Sequence, residues 1–115
     1  MSITTVFTEA EHAYLAQQWL GRLVTLEPDG SPQARPVGFT VNTERATIDV
    51  GGYHLARSRK FRNVTRDSRV AFVVDDLASV DPWRPRGVEI RGRAEALPAD
   101  DTGPPLIRIH PRRVP

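Results

Sequence analysis

Six short runs of strand-type residues, separated by turn signals and broken by only two helical stretches, constrain this chain most. The first run, Leu23-Val24-Thr25-Leu26, combines β-branched and large apolar residues. Pro28-Asp29-Gly30 then reads as a tight turn, with proline fixing φ and glycine supplying freedom to leave it. Gln33–Val41 alternates two kinds of residue. Arg35, Val37, Phe39 and Val41 form a bulky face. Ala34, Pro36, Gly38 and Thr40 form a small one, which lets a flat ligand or another backbone approach closely. Pro36 cannot donate to a ladder, so this strand is expected at an edge or bulge. Asn42–Arg45 is a turn, Thr47–Val50 a strand, and Gly51-Gly52 ends it. Val70–Val74 is almost continuously apolar and reads as central, ended by Asp75-Asp76. Leu77–Arg86 reads as a connection. Gly87–Ala96 is a long strand with one polar face, Pro98–Pro105 a loop, and Leu106–Ile109 the last strand. Of the helices, one starts at an N-cap Thr8 with Glu11 completing a capping box and stops at Gly21. The other spans Ala56–Arg66, with Arg59, Arg62 and Arg66 on one face and Phe61 and Val64 nearly opposite. Strands joined by hairpin-like turns predict a mainly β fold, a six-stranded antiparallel β-barrel with short helices.

At 115 residues the chain is the size of one domain, expected to span 1–115. Its 39% hydrophobic and 26% charged residues fit a folded protein rather than a disordered one. The absence of cysteine excludes disulfides, thiol catalysis and Cys-ligated metal sites. His12, His54 and His110 are too scattered for a metal motif. No run approaches a membrane span. Met1-Ser2-Ile3-Thr4 lacks the basic-then-apolar pattern of a signal peptide, so a cytoplasmic location is expected.

The net charge of +2 hides an uneven distribution. Between Arg57 and Arg69 stand six cations (Arg57, Arg59, Lys60, Arg62, Arg66 and Arg69) and one acid, Asp67. That window carries +5 and the rest of the chain −3. A local positive patch on a mildly negative body suggests an anionic ligand rather than adhesion to nucleic acid. Lys60 is the only lysine. Arginine suits bidentate phosphate or carboxylate contacts; a bias in genomic base composition yields the same excess.

No nucleophile-and-base arrangement, HExxH or P-loop is legible. Two readings of Arg57–Val64 stand side by side. In one, Ser58 sits near the helix start, where free N–H groups favour an anion, with Arg59, Lys60 and Arg62 neutralising a phosphate. In the other, the segment is a solvated basic face. Arg35 is either an exposed strand arginine or a ligand-facing cation. Trp83, in a Pro- and Arg-rich segment, is a packing residue or an exposed interface platform. Gly51-Gly52 reads as a tight turn rather than a phosphate loop. His54 caps a turn or faces solvent, and Asp75, Asp76 and Asp81 read as solvated acids.

Ser58–Ala71 resembles the K-x-R-N-x-x-R-D-P-R-V segment of pyridoxamine 5′-phosphate oxidase-like proteins. Arg22–Leu26, Asp29–Pro32 and Arg35–Phe39 resemble the same family. Asp75–Glu95 is similar to an actinobacterial branch whose members are described as oxidoreductases of the deazaflavin coenzyme F-420. The resemblance implies an FMN-binding-like split β-barrel, a homodimer with a flavin-type cofactor at the subunit interface. It places Arg35, Pro36 and Val37 against the cofactor ring and Asp49, Val50 and Gly51 on the adjacent strand. Ser58, Arg59 and Lys60 match the phosphate-binding positions, supported by Arg62 and Asn63. Trp83 and Arg91 fall near the second subunit. The implied cofactor is coenzyme F-420, with FMN as the alternative, and the implied partner is a small unsaturated or quinone-like substrate. No nucleic acid, membrane or metal is expected. Ser68 departs from the family's proline, the 98–105 loop is short, and relatives extend a few residues past the position of Pro115, including a tryptophan.

Overall fold

Six antiparallel strands close into a barrel in the order β1-β2-β3-β6-β5-β4. They are β1 (Leu20–Leu26), β2 (Pro32–Asn42), β3 (Thr47–Val50), β4 (Arg69–Ser79), β5 (Arg84–Leu97) and β6 (Leu106–Arg113). The structure, a computed structural model, describes residues 7–114; residues 1–6, with the Met1–Thr4 segment read above, and Pro115 lie outside the described residues. Period-two alternation points one side chain in two into the barrel. Leu23, Val37, Ile48, Val50, Val70, Phe72, Val74, Ile90, Ile107 and Ile109 fill it. β4, read as apolar on both faces, is paired on both edges, to β1 and β5, as a central strand should be.

β2 is longer than any one of its partners. It pairs with β1 over Pro32–Gly38 and with β3 over Phe39–Asn42. Among the described residues, the edge of Pro32–Gly38 facing away from β1 has no strand partner, and there the barrel splits. Glu27 N–H donates to the Ser31 carbonyl at 2.8 Å. Antiparallel alternation then turns the backbone of Gln33, Arg35 and Val37 toward β1, and that of Ala34 and Pro36 toward the open edge. Pro36 therefore costs β1 no hydrogen bond, as expected of an edge proline.

The first helix, α1 (Glu9–Ala16), has the predicted capping box: Glu11 N–H donates to Thr8 Oγ1 at 3.1 Å and Thr8 N–H to Glu11 Oε1 at 2.8 Å. It ends before Gly21. That glycine lies in β1, where an added Cβ would sit 2.2 Å from Phe72 Cζ. It leaves room for the Phe72 ring rather than stopping a helix. The second helix is also shorter than expected. A single 3-10 turn at Leu55–Arg57 precedes α2 (Arg59–Arg66), and the chain becomes extended at Ser58 between them.

The segment expected as a connection, Leu77–Arg86, is instead most of a hairpin. Asp76 pairs with Arg86, Leu77 with Pro85 and Ser79 with Arg84, leaving Val80–Trp83 as the turn. Ladder pairing carries these strands beyond the apolar pattern that marked their inner halves. Tyr14 of α1 donates its hydroxyl to Asp76 Oδ1 at 2.9 Å, and Arg86 grips the same carboxylate from Nε at 3.0 Å. Burial and the Asp76 carboxylate push the Tyr14 phenol up to about 12. This cluster ties α1 to the hairpin.

Candidate functional site

Two features flank the open edge of β2. At its Pro32 end lies the basic helix α2. Arg59 shares a cavity with Glu27, Asp29, Ser31, Pro32 and Gln33. Asn63 is buried and donates from Nδ2 to Thr25 Oγ1 at 3.0 Å, and its Oδ1 accepts from Arg66 at 3.2 Å. Arg66 also donates to the Leu26 carbonyl at 2.6 Å. Asn63 and Arg66 thus bolt α2 onto β1, with the helix start beside the β1–β2 turn. At the far end of the edge, Gly38, Thr40, Asp49, Gly51 and the Pro104–Leu106 wall line a groove of about 530 Å³. A Cβ on Gly51 would meet nothing within 4 Å, and one on Gly38 would only reach the Trp19 carbonyl at 3.9 Å. The two glycines leave flat, open backbone at the groove.

From Gln33 to Gly38 the chain advances roughly 17 Å at strand rise. Arg35, Pro36 and Ala34 lie exposed along that path. The arrangement offers cations at one end, a backbone edge between, and a shallow, largely uncharged groove at the other. A flavin-type cofactor, a flat ring joined through a polyol to a phosphate, fits this donor set.

The expected site residues divide accordingly. Gly51 lines the groove, and Arg35 and Pro36 lie on the open edge. Val37 and Val50 point into the core, at 6% and 0% exposure, so toward a ligand they present backbone only. Asp49 is held by Arg108 (Nε to Oδ1, 3.1 Å), Asn42 (3.0 Å) and Thr47 (3.0 Å). Burial pushes its carboxyl up, but these hydrogen bonds outweigh burial and hold it below the ordinary range. It is a brace between β3 and β6 at the groove's floor. Ser58 caps α2: its Oγ accepts from Phe61 N–H at 3.3 Å and donates to the Leu55 carbonyl at 2.6 Å. Arg59 faces Glu27 at 3.4 Å and Arg62 donates to the Arg57 carbonyl at 3.0 Å. Lys60 makes no ion pair among the described residues. Asn63, buried, supports the patch from inside the fold through its bonds to Thr25 and Arg66.

Sequence reasoning missed Trp19 and Leu20, which stand 85% and 61% exposed beside this region. They read as the tail of a helix. The signal lay in the β-type run starting earlier than Leu23, which frees Trp19 from the helix and sets it just ahead of β1.

The pyridoxamine 5′-phosphate oxidase family pattern matches residues 7–109. The chain belongs to that family. A curated relative, the 5a,11a-dehydrotetracycline/5a,11a-dehydrooxytetracycline reductase of Streptomyces rimosus, is 47% identical over 118 residues, covering 94% of this chain and 80% of the relative. Among solved structures, a conserved hypothetical protein of Mycobacterium tuberculosis is similar with a TM-score of 0.73 and 27% identity, covering 95% of this chain and 83% of that one. An F-420 reductase has a TM-score of 0.73 at 23% identity, covering 95% and 98%. A FAD-binding protein of Mesorhizobium loti, at 19% identity and a TM-score of 0.70 over 94% and 92%, shares the fold. The protein is an oxidoreductase of the pyridoxamine 5′-phosphate oxidase class.

Within this family barrel, Trp83 and Arg91 do not join the other expected residues. Arg91 lies on β5, three strands from β2 in either direction around the barrel, and Trp83 in the turn between β4 and β5. Trp83 is exposed at the hairpin turn, and Arg91 pairs with Glu89 at 3.1 Å. One copy of the chain cannot bring them to the β2 edge. Among the described residues, no three metal-ligating side chains come together, and no helix is long and apolar enough to cross a membrane.

Proposed function

We propose that the protein is a reductase that uses reduced coenzyme F-420 to saturate a carbon–carbon double bond, or reduce a quinone-like system, in a small organic acceptor. The observation that carries this reading is the open β2 edge, running from the α2 cations to the groove lined by Gly38 and Gly51. When bound, the deazaflavin supplies the hydride. Lys60, with Arg59 and Arg62, neutralises the phosphate, and the charged hydrogen bonds fix the cofactor's register. Along the cofactor's length the open edge offers the Ala34 N–H and carbonyl and the Pro36 carbonyl. Gly38 and Gly51 let the ring lie against the strands. Asp49, braced by Arg108, keeps β3 in place beneath it. The acceptor gains a hydride and then a proton, and the open groove admits water for the second step. The name of the Streptomyces relative, a reductase of an unsaturated polycycle, supports this acceptor class. The likeness of Asp75–Glu95 to the deazaflavin-using branch supports F-420 over FMN.

The working form in this reading is a cytoplasmic homodimer. The opposite placement of β2 and β5 supports it, since only a second copy can set Trp83 and Arg91 over the β2 edge. Equilibrium titration with coenzyme F-420, FMN and haem tests the cofactor assignment. Tightest binding of F-420 is expected. Purified protein that is yellow, with one flavin per subunit, would establish FMN instead. Tight binding without turnover across a panel of enones and quinones would make the protein a carrier.

A further inference from the structure

A second cavity adjoins the first. It has a volume of about 320 Å³ and lies between α1 and β2. It shares the wall residues Phe39 and Thr40 with the groove assigned to the cofactor ring, so the two are neighbours along β2. Leu15, Phe39 and Val41 form its apolar floor, and Trp19 stands over it at 85% exposure. Gln18, Thr40 and Thr43 supply neutral hydrogen-bonding groups at its margin. His12 is the one ionisable side chain in its lining. Neither Asp, Glu, Lys nor Arg reaches it, in contrast to the α2 patch.

We infer that this Trp19 groove is the acceptor subsite, and that it takes an uncharged, planar, conjugated ring system carrying carbonyl or hydroxyl oxygens. The inference rests on the cofactor reading above for its direction. A ring stacked beneath Trp19 and pushed to Thr40 abuts the groove of Gly38 and Gly51, where the hydride donor would lie. The volume suits one or two fused rings enclosed, with the remainder running outward through the open side. An indole face offers a large stacking area at little entropic cost. A lining without carboxylate, lysine or arginine leaves an anionic acceptor His12 alone to pair with, so charged analogues are disfavoured by desolvation. Thr43, Gln18 and Thr40 can each donate to a ring oxygen, which fixes orientation rather than affinity.

Two measurements test this. The first needs no cofactor. The chain has two tryptophans, Trp19 and Trp83. Titration with menadione, a neutral planar quinone, should quench tryptophan fluorescence saturably in the wild-type chain. In Trp19→Phe only a linear collisional component should remain. Saturable quenching that survives Trp19→Phe would overturn the assignment. The second compares Trp19→Ala with wild type in the holoenzyme. Loss of one stacking face should raise the acceptor KM about tenfold, while the dissociation constant for coenzyme F-420 stays within about twofold. An equal loss of cofactor affinity would place Trp19 in the cofactor site. A changed oligomeric state with an unchanged KM would make the groove a contact between copies. Failure of the wild-type chain to bind F-420 or FMN would sink the cofactor reading, while the menadione titration would still decide the Trp19 site by itself.

Discussion

Among the described residues Lys60 has no acidic partner, whereas Arg59 already faces Glu27. A solvent-exposed pair such as Arg59–Glu27 is worth about 0–1 kcal/mol, so it does not withdraw Arg59 from a ligand. The free ammonium of Lys60 is the better test of the phosphate site. Lys60→Ala should weaken cofactor binding by roughly 1.5–3 kcal/mol, the scale of a charged hydrogen bond, with the melting temperature unchanged. Isothermal titration would show it, and unchanged affinity would reduce Lys60 to surface charge. Asn63 behaves oppositely. Asn63→Ala strands the buried Thr25 hydroxyl and frees Arg66, so it should lower stability by about 1–3 kcal/mol in a denaturant melt. Gly21→Ala drives a methyl into the Phe72 ring and should cost about 1–3 kcal/mol as overpacking. Asp49 sets a pH dependence. Its folded value is depressed, so the stability it brings is present above its unfolded value and lost as pH falls through the folded one. Melting temperatures should therefore decline as pH falls below about 4, the unfolded range of an aspartate. Asp49→Asn should flatten that limb.

Elements were legible in the sequence where local chemistry decides them, and illegible where a distant partner does. The Thr8–Glu11 capping box is local, and it forms. The alternation along β2 separates buried Val37 from exposed Pro36 and Gly38 as read. The ends were misplaced because pairing, not propensity, sets them. Asp76, Pro85 and Arg86 carry no strand signal, yet the β4–β5 ladder holds them. β6 likewise continues from Ile109 through Pro111, which pairs with Gly92 beside a register shift. Of the site, the basic helix and the small β2 face could be read directly. That Val37 and Val50 turn inward, that Asn63 is buried, and that Trp19 borders a cavity depend on barrel closure. The clip of Tyr14, Asp76 and Arg86 was beyond reach for the same reason: 62 residues separate Tyr14 from Asp76. Tyr14→Phe removes the hydroxyl's hydrogen bonds to Asp76 and to the Arg86 carbonyl of the hairpin. It should loosen α1, raising hydrogen exchange over Glu9–Ala16 while β1 and β4 stay protected.

At the scale of the whole molecule, the barrel places its two sets of expected cofactor residues on opposite walls. The β2 edge with α2 forms one set, and Trp83 with Arg91 the other. An interface-bound cofactor joins them only in a dimer. Light scattering at micromolar concentration should accordingly give twice the chain mass, and a monomer there would contradict the shared site. The exposed Leu77, Val80 and Trp83 of the hairpin are the apolar surface such an interface would cover. The proposed reduction requires that the open β2 edge hold a deazaflavin by its ring and phosphate. The most direct test is an equilibrium titration of the wild-type chain and Lys60→Ala with coenzyme F-420 and FMN in parallel. Saturable binding of F-420, tighter than that of FMN and weakened at least about tenfold in Lys60→Ala, is expected if the edge is that site. Binding of neither cofactor, or F-420 binding indifferent to Lys60, would contradict it.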